Sequence, residues 1–332
     1  MSSESNVLDI INLKTHFFTR DGIAKAVDGV SLSLSPGKII GLVGESGSGK
    51  SVTGFSILGL VDHPGRMVDG KIMFNGLDLR NLSEKELRHL RGNSISMIFQ
   101  DPMMTLNPVL RIDSQMMEAL KAHNKKMDNK TALSLCVDAL KKVGIPEPEK
   151  RLKAYPHQFS GGMRQRVVIA IALLNSPKLI IADEPTTALD VTIQGQILFQ
   201  VQKLCRENKT AMIWITHDLT VVAGLADRVH VMYAGKIVEQ GETNEIIDTP
   251  LHPYTVGLIN SVPGNNHPGE KLNQIPGMTP ALLNLPEGCS FRLRCPRADG
   301  ACENDPPMTE PAPGHRVHCF HPHLKPMEKQ KS

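Results

Sequence analysis

The chain lacks a long hydrophobic run. Its longest purely aliphatic stretch, Val167–Leu174, is eight residues, far short of the roughly 20 that a membrane-spanning helix requires. A helical membrane protein is therefore excluded. Charge of one sign is also missing: Lys+Arg 37 against Asp+Glu 34 leaves a formal charge of +3, too little to make nucleic acid or an acidic membrane the main partner. The opening Met1-Ser-Ser-Glu-Ser-Asn6 has neither the basic region nor the apolar core of a signal peptide, so a cytoplasmic location is expected. What the chain does have, 40% hydrophobic and 21% charged residues, describes a globular protein and not a disordered, collagen-like or heptad-repeat one.

At 332 residues the length suits two domains, or one large α/β domain with an added module. Proline and cysteine mark the division. Of 23 prolines 14 lie in residues 250–332, with four of the six cysteines. Up to that point apolar strands alternate with amphipathic helices; beyond it the chain is broken by Pro-Gly, His-Pro and Pro-Pro. The expected domains are residues 1–250 and 251–332, the first with a helical insert over about 100–170.

Lys38-Ile-Ile-Gly-Leu-Val-Gly44 reads as a buried strand, and Gly44-Glu45-Ser46-Gly47-Ser48-Gly49-Lys50-Ser51 follows with the G-x-x-x-x-G-K-S spacing. This is a P-loop. Its glycines let the backbone curl so that N–H groups face phosphate oxygens, and the next helix presents its positive end. Lys50 is expected on the β- and γ-phosphates and Ser51 on Mg²⁺, with Val52–Leu60 as the packed helix.

Lys178-Leu-Ile-Ile-Ala-Asp183-Glu184 places an apolar strand ahead of two carboxylates. Asp183 is expected in the Mg²⁺ shell, and Glu184 to orient or deprotonate an attacking water. A third strand, Ala211–Thr216, ends at His217, where an imidazole meets a γ-phosphate. Phe159-Ser160-Gly161-Gly162-Met163-Arg164-Gln165-Arg166 precedes the helical run Val167–Leu174, giving a second anion-binding geometry. One triphosphate does not need two. The economical reading is that Ser160 and its neighbours bind ATP held by a facing subunit.

With these residues in view, the sequence resembles the nucleotide-binding domain of an ABC transporter, a P-loop NTPase of RecA-like α/β fold with a helical subdomain. Gly44–Ser51 corresponds to Walker A, Leu179–Glu184 to Walker B and Phe159–Arg166 to the signature. The resemblance implies that Gln100, in Met97-Ile-Phe-Gln100-Asp-Pro, is the Q-loop glutamine, joining the Mg²⁺ shell and linking the site to membrane subunits. It implies that Ala188-Leu189-Asp190 is the D-loop, that His217 is the switch histidine, and that an aromatic near residue 17 stacks on adenine, Phe17 being chosen over Phe18. The signature departs from Leu-Ser-Gly-Gly-Gln: Phe159 stands first and Met163 fifth, while Ser160, Gly161 and Gly162 remain, and these three with Gln165 are expected to bind the ATP of the partner subunit.

Gln100–Pro108, Tyr155-Pro-His-Gln, Asp183–Gln194 and His252-Pro-Tyr-Thr255 together are similar to ATPase subunits of dipeptide, oligopeptide and nickel importers. That similarity implies a second, different ATPase chain, two transmembrane permease subunits, an extracytoplasmic solute-binding protein and no nucleic acid, at the cytoplasmic face of a bacterial inner membrane. Peptide is the expected cargo, with nickel or another small solute as the alternative. A soluble ABC ATPase outside transport should show a tandem cassette, a coiled-coil insertion or a basic stripe, and none is visible. An iron-sulfur sensor that also binds ATP is a third reading.

Cys289, Cys295, Cys302 and Cys319 are spaced C-x5-C-x6-C-x16-C, without the C-x2-C pairs of most zinc ribbons. In a reducing compartment they read as metal ligands. Spacing alone divides evenly between a 4Fe-4S cluster, whose charge Arg292, Arg294 and Arg297 would offset, and zinc with His315 and His318 beside Cys319. The subfamily resemblance implies the cluster. Cys136 and Cys205 fall in helical patterns and read as core thiols.

Overall fold

The computed structural model describes residues 5–186, 190–262 and 274–323. Among them the strands in chain order are β1 (Leu8–Thr19), β2 (Gly22–Leu34), β3 (Ile39–Val43), β4 (Gly65–Phe74), β5 (Leu77–Asp78), β6 (Ile95–Ile98), β7 (Leu179–Asp183), β8 (Ala211–Thr216), β9 (Arg228–Tyr233), β10 (Lys236–Glu242), β11 (Met308–Ala312) and β12 (His315–His318). The described residues fall into two compact units. One gathers those of Met1–Leu8, Leu34–Lys38 and Asp78–Trp214; the other gathers those of Asp9–Ser33, Ile39–Leu77 and Ile215–Ser332.

In the first unit β6 and β7 pair in parallel, Ile95 opposite Leu179 and Ile98 opposite Ala182. Every residue of β7 is buried; every residue of β8, which begins in this unit and ends in the other, is buried as well. Burial on both faces is what a parallel strand needs, and it makes such strands read as unbroken apolar runs. Helices Ile112–His123, Asn129–Lys142 and Gly161–Leu173 lie wholly or mostly in the range read from the sequence as a helical insert. Ile112, Met116 and Leu120 of the first, and Ala132, Cys136 and Leu140 of the second, are buried at steps of four, the spacing of one helix face. Burial pushes the Cys136 thiol up to about 11, with the Asp113 charge adding to it. Burial alone pushes Cys205 up to about 12. Both are inert core thiols.

The second unit holds most of a sheet ordered β2-β1-β4-β5, and in another sheet the neighbours β11-β12-β10-β9-β3. β3 pairs with β9 in parallel, Ile40 opposite Arg228 and Val43 opposite Val231. β9 and β10 are antiparallel, joined by Ala234-Gly235 with φ of 46° and 84°. Two left-handed residues give the turn whose twist matches a hairpin. The proline-rich tail is mostly turns, yet it also lends β11 and β12, which extend β10 through Glu239 opposite Val317.

That extension depends on a buried carboxylate. Glu239 is fully buried. Its Oε1 accepts from the Leu251 N–H at 2.7 Å and stands 2.7 Å from His315 Nε2, and its Oε2 accepts from the His252 N–H at 2.8 Å. It thus holds the start of helix Pro253–Asn260 and strand β12 on β10. His252 Nδ1 caps the same helix by accepting from the Tyr254 N–H at 3.0 Å, and Pro253 opens it, where a missing N–H costs nothing. The His-Pro-Tyr-Thr segment is therefore a helix start built around a buried acid. Replacing Glu239 by Ala strands two buried N–H groups and His315, and should lower stability by about 3 kcal/mol in urea unfolding; a loss below about 1 kcal/mol would refute this account.

Candidate nucleotide site and cysteine module

The Gly44–Ser51 loop lies between β3 and helix Lys50–Leu58, which starts one residue after left-handed Gly49 (φ 104°). A Cβ on Gly44 would sit 2.1 Å from the Met232 carbonyl oxygen, and one on Gly49 2.0 Å from that of Ala26. Only glycine fits at either place. Lys50 is buried, its Nζ donating to the carbonyls of Gly44 at 2.8 Å and Glu45 at 2.9 Å and lying 3.3 Å from Ser48 Oγ. Ser48 is buried, Ser51 half-buried, and Ser46 and Gly47 are exposed at the loop's tip. His217 is exposed just past β8.

Phe17 and Phe18 point to opposite sides of β1. Phe17 shares a side with Thr15, whose Oγ1 lies 2.7 Å from Ser56 Oγ on the P-loop helix. Its ring also packs on Gly65, where a Cβ would come within 2.6 Å. Phe18 instead carries the Arg66 guanidinium 4.2 Å above its ring. The choice of Phe17 thus coincides with the side of β1 that faces the P-loop helix.

In the first unit Asp183 closes β7, buried to 6% exposure, and Glu184 follows with φ 44°. A left-handed non-glycine residue is strained, and such strain concentrates at functional positions. Gln100 Nε2 donates to Glu184 Oε2 at 3.1 Å. Two residues 84 positions apart are thereby brought into one hydrogen bond. Ser160 caps helix Gly161–Leu173, its Oγ accepting from the Met163 N–H at 3.3 Å. Ser160 and Gly161 are exposed. Gln165 is not: at 1% exposure it faces the interior, so it belongs to the helix's support and not to its open surface. A Cβ on Gly162 would meet Ile193 Cγ2 at 2.7 Å, and Arg166 Nη2 donates to Gln196 Oε1 at 2.9 Å. Helix Val191–Asn208 is thus bound to the signature helix at two points. Asp190 caps it through the Ile193 N–H at 2.9 Å; Ala188 and Leu189 of the expected D-loop lie outside the described residues.

In the tail, each of the six pairs among Cys289, Cys295, Cys302 and Cys319 is within electrostatic reach. Burial raises the Cys289 and Cys295 thiols and pushes Cys319 up to about 11. Two sulfurs accept backbone N–H groups, Cys295 from Arg297 at 3.4 Å and Cys319 from His321 at 3.3 Å. His315 is engaged by Glu239 and His318 Nδ1 lies 3.1 Å from the Pro306 carbonyl, so neither expected zinc histidine stands with the thiols. The histidine that does is His321, whose ring is grouped with Asp299 and Cys302 within 4.8 Å. Arg294 also departs from expectation. It turns from the cysteines to Glu45 of the P-loop, Nη1 to Oε2 at 2.6 Å and Nη2 to Oε1 at 2.9 Å. Sequence reading missed this pair, along with Tyr254, whose hydroxyl accepts from the Glu45 N–H at 2.8 Å, and Thr279, whose hydroxyl donates to Glu45 Oε2 at 2.7 Å. The only sequence signals were a lone acid inside a P-loop and an arginine between two cysteines.

Two family models match the chain, that described as ABC transporter over residues 27–187 and that described as the oligopeptide/dipeptide transporter C-terminal region over 238–302. The oligopeptide transport ATP-binding protein OppD of Escherichia coli (strain K12) is 51% identical over 316 residues, 95% of this chain and 93% of that protein. The chain belongs to the ABC transporter ATP-binding proteins of the oligopeptide and dipeptide branch. A second such relative, the dipeptide transport ATP-binding protein DppD of Bacillus subtilis (strain 168), is 51% identical over 95% of this chain and 94% of its own. The dimeric structure of MJ0796, a bacterial ABC transporter cassette, superposes with a TM-score of 0.64 at 27% identity, covering 71% of this chain and 98% of that one. The α/β P-loop cassette fold expected from the sequence is the fold found. No helix among the described residues is long and apolar enough to cross a membrane.

Phe17, expected from the sequence to stack on adenine, shares the side of β1 from which Thr15 reaches the P-loop helix. Phe17→Ala should weaken ATP binding about tenfold, since stacking a base on an aromatic ring is worth about 1–3 kcal/mol, while leaving inorganic triphosphate binding as it was. Phe18→Ala should do neither. Equal losses for both variants, measured by calorimetry, would remove Phe17 from the site.

Proposed function

We propose that this chain is the ATP-hydrolysing subunit that powers peptide import through an ABC transporter. The carrying observation is the union on one chain of the P-loop cassette and the C-terminal region described for oligopeptide/dipeptide transporters, in relatives matched over 95% of its length. The functional boundary falls near residue 250, with ATP chemistry assigned to residues 1–250 and the attached module to 251–332.

In this reading Gly44–Ser51 cradles the triphosphate, Lys50 meets its β- and γ-phosphates and Phe17 meets adenine. Ser51, Gln100 and Asp183 offer hydroxyl, amide and carboxylate oxygens, a hard donor set suited to Mg²⁺. Mg²⁺ supplies neutralisation of phosphate charge. Glu184 accepts the proton of the attacking water, and Gln100, already hydrogen-bonded to it, reports its state. His217 responds to the γ-phosphate. The Ser160-Gly161-Gly162 turn, exposed at its first two residues, and the D-loop Asp190 serve ATP held by a second ATPase subunit, a different chain. Two transmembrane permease subunits and an extracytoplasmic solute-binding protein complete the assembly, placing this chain peripherally on the cytoplasmic face of a bacterial inner membrane.

We assign the four tail cysteines to a 4Fe-4S cluster. The reading rests on the spacing of the four cysteines and on the subfamily they belong to. Backbone N–H groups aimed at the sulfurs of Cys295 and Cys319 are the support that a thiolate-ligated cluster takes. Cys289, Cys295, Cys302 and Cys319 would hold it, and when bound it would cross-link the four segments that carry them.

Glu184→Gln should retain ATP binding and lose at least about 100-fold in turnover; near-wild-type ATPase activity in the assembled complex, with the partner's site silenced, would sink the role given to Glu184. Anaerobically reconstituted protein should contain iron and sulfide with visible absorbance, and Cys295→Ser should lose them. Stoichiometric zinc without sulfide would overturn the cluster.

A further inference from the structure

The P-loop of this chain carries an acid where it must receive a polyanion. Glu45 follows Gly44 directly, and Lys50 Nζ bonds its carbonyl at 2.9 Å, so its backbone is part of the phosphate-binding turn. Its side chain is held by the tail. Arg294 grips both carboxylate oxygens, the bidentate form that is the strongest and most directional arginine–carboxylate contact. Thr279 donates to the same carboxylate, and the Tyr254 hydroxyl takes the Glu45 N–H. Arg294 itself is fixed. Its side chain is 6% exposed, its Nε donates to the Pro276 carbonyl at 2.9 Å, and its guanidinium lies 5.8 Å from the Tyr233 ring and 5.9 Å from that of Phe291. Burial works to raise the Glu45 carboxyl, but hydrogen bonds from Arg294 and Thr279 hold it below the ordinary carboxylate range. Glu45 is therefore ionised, one residue from the loop's first glycine.

We infer that Arg294 is a positioning residue for the ATP site: it neutralises Glu45 and holds its carboxylate on the tail, so that the P-loop can accept a triphosphate. This rests on the reading of Gly44–Ser51 as the ATP site. Its physical content is electrostatic. An ionised carboxylate without its arginine repels phosphate charge received by the same half-buried loop, whereas the pair presents no net charge. Arg294 closes the short helical turn Arg292–Arg294 between Cys289 and Cys295, so the segment carrying those two thiols also carries the counter-charge of the P-loop. The tail thereby acts on nucleotide affinity within its own chain.

The test is a charge-removal cycle on the full chain, with ATP affinity measured by calorimetry and folding by thermal melting without nucleotide. Arg294→Met keeps an apolar stem beside Phe291 and Tyr233 and drops the charge; it should weaken ATP binding at least about tenfold, less at high salt. Arg294→Lys should fall between it and the wild type. Adding Glu45→Gln to Arg294→Met should return affinity to within about threefold of the wild type, which a purely structural role for Arg294 would not do. Wild-type affinity in Arg294→Met, or no recovery in a double variant that melts like the wild type, overturns the inference. Should Arg294→Met not fold, the same comparison is made between Arg294→Lys and its Glu45→Gln double, with the same two outcomes deciding. Lys50→Ala separates the two readings: if ATP binding survives it, the P-loop assignment fails, and if only the Arg294 variants behave as wild type, the assignment stands and the inference falls.

Discussion

The nucleotide end of the molecule is governed by how closely backbone can approach backbone. At Gly44 and Gly49 a single methyl group would overlap the carbonyl oxygens of Met232 and Ala26. The loop is thus wedged between the end of β9 and the middle of β2, and its curl is imposed from both sides. The remaining features of the loop follow from that confinement. Ser48 N donates to the Glu45 carbonyl and the Gly235 N–H donates to the Ser48 carbonyl, so the hairpin turn joining β9 and β10 closes over the loop. Left-handed Gly49 hands the chain directly to a helix N-terminus, which is where a phosphate is best received.

The tail is seated by two buried charged groups set in an aromatic cluster. Glu239 and Arg294 are both buried, and each bonds groups that are distant in sequence. Around them the chain concentrates scarce aromatics: Tyr233, Tyr254 and Phe291 pack with ring centroids 4.7 to 5.4 Å apart, and His252 joins at 5.7 Å from Phe291. Two of the three tyrosines in the protein serve this one cluster. Buried charges add little net stability over apolar residues, but they tolerate only one arrangement of partners. A proline-rich segment with few helices gains from that a defined seat on β10 and on the P-loop.

Features set by near neighbours were legible in the sequence. The strands at Ile39–Val43, Leu179–Asp183 and Ala211–Thr216 stand where their apolar runs place them, because burial on both faces leaves no ambiguity of period. The signature helix begins at Gly161 and not at Val167, since its small residues, read as an anion loop, are already its first turn. The pairing of Gln100 with Glu184 and of Arg294 with Glu45 was not legible, the second spanning 249 positions. No local rule says which of three arginines turns to a carboxylate and which stay beside thiols. The same holds for His315, a plausible zinc ligand by spacing that the fold instead gives to a buried acid. Composition marked a change near residue 250, whereas compactness groups the tail with the P-loop segment, because sheet pairing and not sequence order decides what packs together.

The departure of the signature from its usual letters can be understood in the same terms. Phe159 is buried beneath Arg151, whose guanidinium lies 5.8 Å from its ring, so the first position asks for apolar volume and a phenylalanine supplies it. The fifth position contributes a backbone N–H to the Ser160 cap, a group every residue but proline possesses. Gly162 admits no such freedom. Ile193 occupies the space a side chain would need, and that isoleucine also donates the N–H that Asp190 accepts. The signature turn and the cap of helix Val191–Asn208 therefore share one residue. A substitution at Gly162 would disturb both, while the changes this chain carries fall where only bulk or backbone is used.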